Sequence, residues 1–138
     1  MNNENKIIIY QVFTRLFGNN NNHCVYNGDI VTNGCGKMAD FTLKALSEIK
    51  KLGTTHIWYT GIIEHATQTD YRRYNISPDH PAIVKGKAGS PYAIKDYYDV
   101  DPDLANDIPE RMREFENLVR RTHRAGLKVI IDFVPNHV

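Results

Sequence analysis

The strongest constraint on the fold is the segment 127–134, which reads LKVIIDFV. Its apolar residues are nearly continuous instead of alternating with polar ones. A strand with this pattern is covered on both faces, as the strands of parallel sheets are. Residues 7–13 and 55–59 are two further runs of β-branched and aromatic side chains, and each of them predicts a strand. We therefore expect three buried strands in one sheet.

Two amphipathic helices are predicted between these strands. Gly53 and Gly126 stand where the helices should stop, and Asp107 with Pro109 is a plausible start for the second helix. Apolar residues recur three or four positions apart, as a helix face buried on one side requires. They are Met38, Phe41, Ala45, Ile49 and Leu52 in the first helix, and Met112, Phe115, Leu118, Val119, Thr122 and Ala125 in the second.

The connections between these elements are unequal in length. The helix-to-strand turns are short and contain glycine, whereas the strand-to-helix connections span roughly residues 14–37 and 60–107. In parallel α/β folds, functional sites are built from the loops that follow the carboxyl ends of strands. Loops of this length are uncommon unless they carry a function. The order β-α-β-loop-α-β thus predicts an α/β fold with a site on the long-loop side.

Charge and hydropathy exclude several classes of partner. The chain has 17 basic and 16 acidic residues, so no basic surface predicts nucleic-acid binding. No apolar run approaches the roughly 20 residues of a membrane helix, so no membrane partner is expected. The polar start and the short apolar run 7–10 do not resemble a signal peptide, which leads us to expect a cytoplasmic protein.

Cys24 and Cys35 lie in one Asn- and Gly-rich segment. Two ordinary thiols are the favoured interpretation, and a local disulfide is the alternative. A metal site would need more ligands than this pair and His23 supply.

The third predicted strand leads into a polar cluster, Asp132-Phe133-Val134-Pro135-Asn136-His137. Pro135 cannot donate to a sheet ladder, so the strand should end there. The carboxyl end of a barrel strand is where enzymes place their working groups. If Asp132 is buried, it needs a partner, because an unpaired buried carboxylate is costly.

This motif, Asp132-x-x-x-Asn136-His137, resembles the first conserved region of the α-amylase family, glycoside hydrolase family 13. Three further segments resemble that family in the same order. They are residues 8–13 (IIYQVF, its first strand), 52–58 (LGTTHIW, its second helix-to-strand turn) and 89–98 followed by 100–102 (GSPYAIKDYY and VDP, its active-site loop). The resemblance covers nearly the whole chain.

The resemblance implies a partial (β/α)8 TIM barrel made of the first three parallel strands and two helices. Residues 1–138 would then be the N-terminal part of the catalytic barrel of an α-amylase-like glycosidase that acts on α-glucans with retention. The family places its catalytic carboxylates on later strands, so we expect no catalytic residue in this chain and no activity from it alone.

The same resemblance assigns roles to individual residues. It implies that His137 hydrogen-bonds the sugar where the bond is cut, that Tyr92 stacks on that sugar, and that Asp132 orients active-site groups. Asn136 matches a calcium ligand of the calcium-dependent members. Ala93 departs from the family, which often has aspartate or another polar residue there, so the preferred glucan stays open.

Other polar and aromatic residues are expected to be structural. Trp58 should lie in the core, and Tyr97 and Tyr98 should pack the long loop onto the barrel. The acidic residues of that loop are expected to be solvated. They are Glu64, Asp70, Asp96, Asp99, Asp101 and Asp103.

Two alternatives to an enzyme fragment stay open. One is a small α/β module that binds carbohydrate without cutting it. The other is a homo-oligomer in which copies pair through exposed sheet edges.

Overall fold

The fold is described by a computed structural model, which covers residues 6–135. Three strands, β1 (Ile9–Phe13), β2 (His56–Thr60) and β5 (Lys128–Ile131), form a parallel sheet in that order. Ile9, His56 and Lys128 share one row across it, and Val12, Tyr59 and the last residue of β5 share another. In chain order the elements are β1 (Ile9–Phe13), α1 (Thr14–Phe17), α2 (Ile30–Asn33), α3 (Leu43–Lys51), β2 (His56–Thr60), β3 (Ile63–His65), β4 (Ile94–Val100), α4 (Arg111–Arg124) and β5 (Lys128–Ile131).

The three predicted strands are therefore present, and all three are shorter than or shifted from their predicted bounds. The third strand ends at Ile131 instead of residue 134 because its partner strand ends one position after the last paired residue, Tyr59. Gly61, with φ +84°, turns the chain away there. Asp132 consequently lies just past the last residue of β5 and takes no part in strand pairing.

Both predicted helices are present with later starts than predicted. The first begins as a single 3-10 turn, Met38–Asp40, and α3 starts only after Thr42, whose side chain accepts a hydrogen bond from Ala45 N. Serine and threonine commonly cap helices in this way. The second begins as the 3-10 turn Ile108–Glu110 and continues as α4.

The hydrophobic core lies between one face of the sheet and helices α3 and α4. Tyr59 connects the two layers, since its ring packs edge-on against Phe41 at 4.9 Å and its hydroxyl lies 2.7 Å from Thr122 Oγ1. The side chains buried completely here include Met38, Phe41, Leu46, Ile57, Leu104 and Leu118.

The opposite face of the sheet is only partly covered by residues 6–135. Gln11, Trp58 and Ile130 form one row on it, and Ile9 is 51% exposed. Trp58 was expected in the core, but it is half-buried on this second face, and its indole Nε1 is buried without a hydrogen-bond partner among the described residues. A β strand places successive side chains on opposite faces, so Trp58 cannot join Ile57 in the core.

The connection predicted as one long loop contains an antiparallel two-stranded sheet. β3 and β4 pair, with Ile63 opposite Val100 and His65 opposite Ile94, and the register shifts on both sides of Glu64. We refer to residues 61–107 as the hairpin excursion. The sequence does not predict this two-stranded sheet, because β3 is only three residues long and has a charged residue at its centre.

The first strand-to-helix connection contains the short helices α1 and α2. Cys24 and Cys35 both have free thiols, as the favoured interpretation predicts. Burial raises the pKa of the Cys35 thiol to about 11, so this thiol is protonated at neutral pH. No helix among residues 6–135 combines the length and the apolar character needed to cross a bilayer.

Candidate functional site

The carboxyl ends of the three parallel strands meet at one edge of the sheet, where long-range hydrogen bonds fix the ends of β1 and β2 to each other. Gln11 Nε2 donates to Thr60 Oγ1 at 3.0 Å, and Thr14 Oγ1 donates to the Thr60 carbonyl at 3.0 Å. Asp132 follows β5 at the same edge. This edge is where parallel α/β folds place ligands.

Two of the residues assigned by resemblance, Tyr92 and Asp132, line one narrow cleft at this edge. Pro91, Ile62 and Val134 form part of its apolar walls. Desolvation, and secondly the neighbouring Asp132 carboxylate, raise the pKa of Tyr92, which keeps its hydroxyl protonated. The cleft therefore combines an aromatic ring with a carboxylate.

Asp132 is half-buried, and its Oδ2 is buried with no hydrogen-bond partner among residues 6–135. The sequence indicates that a buried Asp132 needs a partner, and this oxygen lacks one. Such an atom is costly to leave unpaired, so it needs a donor from the Tyr92 hydroxyl beside it or from chain outside residues 6–135.

Asn136 and His137, the other two predicted site residues, lie outside the described residues. Within residues 6–135 no group of three or more His, Cys, Asp or Glu side chains could hold a metal ion. The calcium ligand assigned to Asn136 therefore stays a prediction.

The segment that carries Tyr92 is fixed by a close backbone contact. Gly89 has φ +79°, and a Cβ added there would lie 1.8 Å from the Ala66 carbonyl oxygen. Ala66 N donates to the Ala93 carbonyl at 3.0 Å, and Ser90 Oγ accepts from Tyr92 N at 3.3 Å. The segment is thus held against the end of β3, which sets the position of Tyr92.

Tyr97 fastens the chain that leaves β5. Its hydroxyl donates to the Val134 carbonyl at 2.7 Å, and its ring lies 5.3 Å from that of Phe133. The prediction that Tyr97 packs the loop onto the barrel is confirmed. The same prediction is wrong for Tyr98, which is 93% exposed because it lies on the outer face of β4.

The prediction that six acidic residues of the hairpin excursion are solvated is wrong for three of them. Asp101 and Asp103 are completely buried, and Glu64 is buried with Lys95 Nζ 3.8 Å away. Burial raises the pKa of Glu64. Charge alone suggested exposure, whereas the fold supplies partners that allow these carboxylates to be buried.

Asp103 is the hub of this buried network. Arg15 Nη2 donates to its Oδ2, Tyr71 OH donates to its Oδ1 at 2.6 Å, and Lys37 Nζ donates to its carbonyl at 2.5 Å. Burial alone would raise the pKa of Asp103, but the Arg15 guanidinium and the Tyr71 hydroxyl outweigh it and lower that pKa. Asp103 is therefore ionised and pairs with Arg15.

Asp101 is in a different state. Its Oδ1 accepts from Asp103 N at 3.0 Å, whereas Oδ2 lies 3.9 Å from Arg15 Nη2 and 3.4 Å from His65 Nε2 without hydrogen-bond geometry. Burial, and then the charge of Asp103, raise the pKa of Asp101 well above its ordinary value. Burial lowers the pKa of His65. A protonated Asp101 beside a neutral His65 fits both shifts.

This network joins the two long connections to each other. Arg15 follows β1, His65 ends β3, and Asp101 and Asp103 follow β4. No local sequence pattern predicts this network, because Arg15 and Asp103 are 88 residues apart. The only local signal was the dense group of acids before α4.

A family model described as the catalytic domain of alpha-amylase matches residues 11–138. Over 131 residues the chain is 28% identical to alpha-amylase 2 of Dictyoglomus thermophilum, a match that spans 95% of this chain and 18% of that protein. Over 46 residues it is 48% identical to the amino acid transporter heavy chain SLC3A1 of Rattus norvegicus, which is 33% of this chain and 6% of that protein.

Among solved structures, the trehalose-6-phosphate hydrolase of Bacillus licheniformis matches with a TM-score of 0.57 and 25% identity. That match covers 94% of this chain and 17% of the hydrolase. The chain thus spans less than a fifth of the length of these relatives. The three parallel strands and their helices form part of a (β/α)8 barrel, as predicted.

Proposed function

Because the chain belongs to the family of the α-amylase catalytic domain, we propose that it forms the first part of the catalytic barrel of a retaining glycosidase that acts on α-glucans. The observation that carries this proposal is the meeting of Tyr92 and Asp132 in one cleft at the carboxyl edge of the parallel sheet. The two residues come from different connections, 40 positions apart in the chain.

The side chains of Tyr92 and Asp132, and not the cleft's own volume of about 10 Å³, are what suit a sugar. The C–H faces of a pyranose ring pack on an aromatic ring, and its hydroxyls need acceptors and donors. Tyr92 supplies the ring, and the Asp132 carboxylate supplies an acceptor. His137 and Asn136 follow Asp132 closely in the sequence, and we propose that His137 donates to the same sugar.

Hydrolysis with retention requires two carboxyl groups about 5–5.5 Å apart that reach the glycosidic bond. The acidic residues of the buried network face Arg15 and His65 instead, and Asp101 and Asp103 are closed to solvent. This supports the proposal that the cutting carboxylates belong to later barrel strands and that the 138-residue chain binds glucans without cleaving them.

Calcium is proposed for Asn136 alone. A protein calcium site needs 6–8 oxygen ligands, and residues 6–135 supply no acidic cluster for one. The roles proposed for Tyr92 and Asp132 do not depend on the metal.

The test is calorimetric titration of the 138-residue chain with maltoheptaose, together with a reducing-sugar assay. We expect measurable binding and no release of reducing sugar. Tyr92→Ala should weaken binding about tenfold, the equivalent of about 1.4 kcal/mol. Tyr98→Ala is the matched control, because that tyrosine is exposed and does not line the cleft. Equal affinity of the Tyr92→Ala and native chains would refute the proposed role.

A binding module without catalysis is the second candidate. One relative of a 46-residue segment, at 48% identity, is named as a transporter heavy chain, so the relatives of this segment include a protein whose name states no hydrolysis. The two candidates can be separated by joining this chain to later barrel strands that carry the catalytic acids. Glycosidase activity of the complete barrel would exclude the binding module.

A further inference from the structure

A second cavity, separate from the cleft of Tyr92 and Asp132, lies between residues 15–34 and the hairpin excursion. Its volume is about 320 Å³, and none of the residues that line it lines the cleft. Small-molecule pockets start at about this size. Part of the excursion closes it, through Thr69, Lys87 and Ala88.

Asparagine side chains build the walls of this cavity. Asn19 accepts from Asn21 N at 3.2 Å and donates to the Asn33 carbonyl at 2.9 Å. Asn21 donates to the Thr32 carbonyl at 3.0 Å, and Asn33 bonds both backbone groups of Val25. These amides cross-link the loop and hold the cavity open before any ligand arrives.

Other polar groups at the cavity are free for a ligand. Arg15 is fixed by Asp103 through Nη2, while its Nε and Nη1 have no hydrogen-bond partner within residues 6–135. Over the same residues the side chains of Asn22 and His23 make no hydrogen bonds. An anchored guanidinium, an amide and an imidazole therefore line one cavity.

The charges around the cavity cancel. Arg15 and Lys87 are positive, and Asp29 and Asp103 are negative. A cavity without net charge gives no preference to a phosphate or a metal ion, whereas the hydroxyls of a sugar use both donors and acceptors. We propose that this cavity binds one neutral pyranose unit, either a free monosaccharide or the terminal residue of a glucan. This second subsite goes beyond the function proposed for the Tyr92 cleft.

The experiment is an NMR titration of the ¹⁵N-labelled 138-residue chain with glucose and, separately, with maltotriose. We expect saturable shifts at the amides of residues 19–34 and 87–88. Binding of glucose alone identifies the ligand as a free monosaccharide, and binding of maltotriose, with or without glucose, identifies it as the terminal residue of a glucan. Either result supports the subsite.

Matched variants come from the asparagine run itself. Asn22 lines the cavity, whereas Asn20 of the same run does not, and neither side chain is bonded within the described residues. Asn22→Ala should weaken binding three- to tenfold, as the loss of one hydrogen bond predicts. Asn20→Ala should bind as the native chain does, and a dispersed spectrum verifies that both variants fold.

Three results would overturn the proposal. One is the absence of sugar-dependent shifts in residues 19–34, and another is equal weakening by both asparagine variants. The third is saturation of the same amides by inorganic phosphate but by neither sugar, which would make the cavity an anion site. Shifts confined to the surroundings of Tyr92 and Asp132 would refute the second subsite while supporting the function proposed for the cleft.

Discussion

The core behind the parallel sheet and the interior of the hairpin excursion are equally buried, but apolar side chains fill the first and charged and polar side chains fill the second. Phe41, Leu46 and Leu118 are completely buried in the first, and Asp101 and Asp103 are completely buried in the second. Apolar packing weakens gradually as methylene groups are lost. A buried ion pair instead fails at once when one partner is removed, because the other charge stays behind unpaired.

The largest effect should follow Asp103→Ala. This change leaves the Arg15 guanidinium, on a side chain that is only 12% exposed, and the Tyr71 hydroxyl without their partner. The free energy of unfolding should fall by about 3–5 kcal/mol, measured by urea denaturation followed by circular dichroism. A loss below about 1 kcal/mol would show that Arg15 tolerates the loss of its partner and that the two regions do not differ as described.

The pH dependence of stability should show the state of Asp101. Because its pKa is raised on folding, its neutral form stabilises the native state below the unfolded pKa of about 3.9, and this contribution is lost as the pH rises towards the raised pKa. Asp101→Asn imitates the neutral acid and does not titrate. Its stability relative to the native chain should therefore increase with pH above about 4, by up to about 1.4 kcal/mol per pH unit.

Urea denaturation of both proteins between pH 4 and 8 measures this difference. The groups that face Asp101 are Arg15, His65, Asp103 and Glu64. They are common to both proteins, including His65, whose lowered pKa costs stability as the pH falls below about 6.5. A constant difference across this range would mean that Asp101 does not hold a proton in the folded state.

A smaller effect is expected in the apolar core. Ile57→Val removes one methylene from a completely buried strand residue, and the free energy of unfolding should fall by about 0.5–1.5 kcal/mol. The same urea titration checks this. A loss as large as that of Asp103→Ala would remove the contrast between the two regions.

The smallest effect should come from Asp70→Ala, which acts on an acid of the same excursion. Asp70 bonds Arg72, and that hydrogen bond lowers the pKa of Asp70 to about 2, but both side chains are exposed. Surface ion pairs of this kind contribute little. Denaturation midpoints indistinguishable from the native chain are expected, and a large shift would mean that Asp70 is part of the buried network.

These two regions also differ in how far the sequence predicts them. The strands, the helices and their order were predictable because the apolar residues repeat with the period of each element. The ends of the elements were not, since β5 ends where its neighbour turns at Gly61, a fact that lies 70 residues away in the chain. The meeting of Tyr92 with Asp132 followed from the resemblance, not from a local pattern.

The buried network could not be predicted from local sequence. Acids in a long connection look solvated unless their partners are known, and the partner of Asp103 is 88 residues away. Pairing of β3 with β4 is hidden for a similar reason, because the register shifts beside Glu64 break the alternation that would reveal a strand.

The backbone contact at Gly89 limits how this part of the chain can diverge. Any side chain at position 89 would clash with the Ala66 carbonyl oxygen. Substitution of this glycine is therefore excluded, whatever the neighbouring residues become. Gly53 and Gly126 also have positive φ, yet a Cβ there would meet its neighbours only at 3.6–3.7 Å, and asparagine tolerates that backbone region. In a saturation library, position 89 would retain glycine alone while the two helix-ending positions accept asparagine.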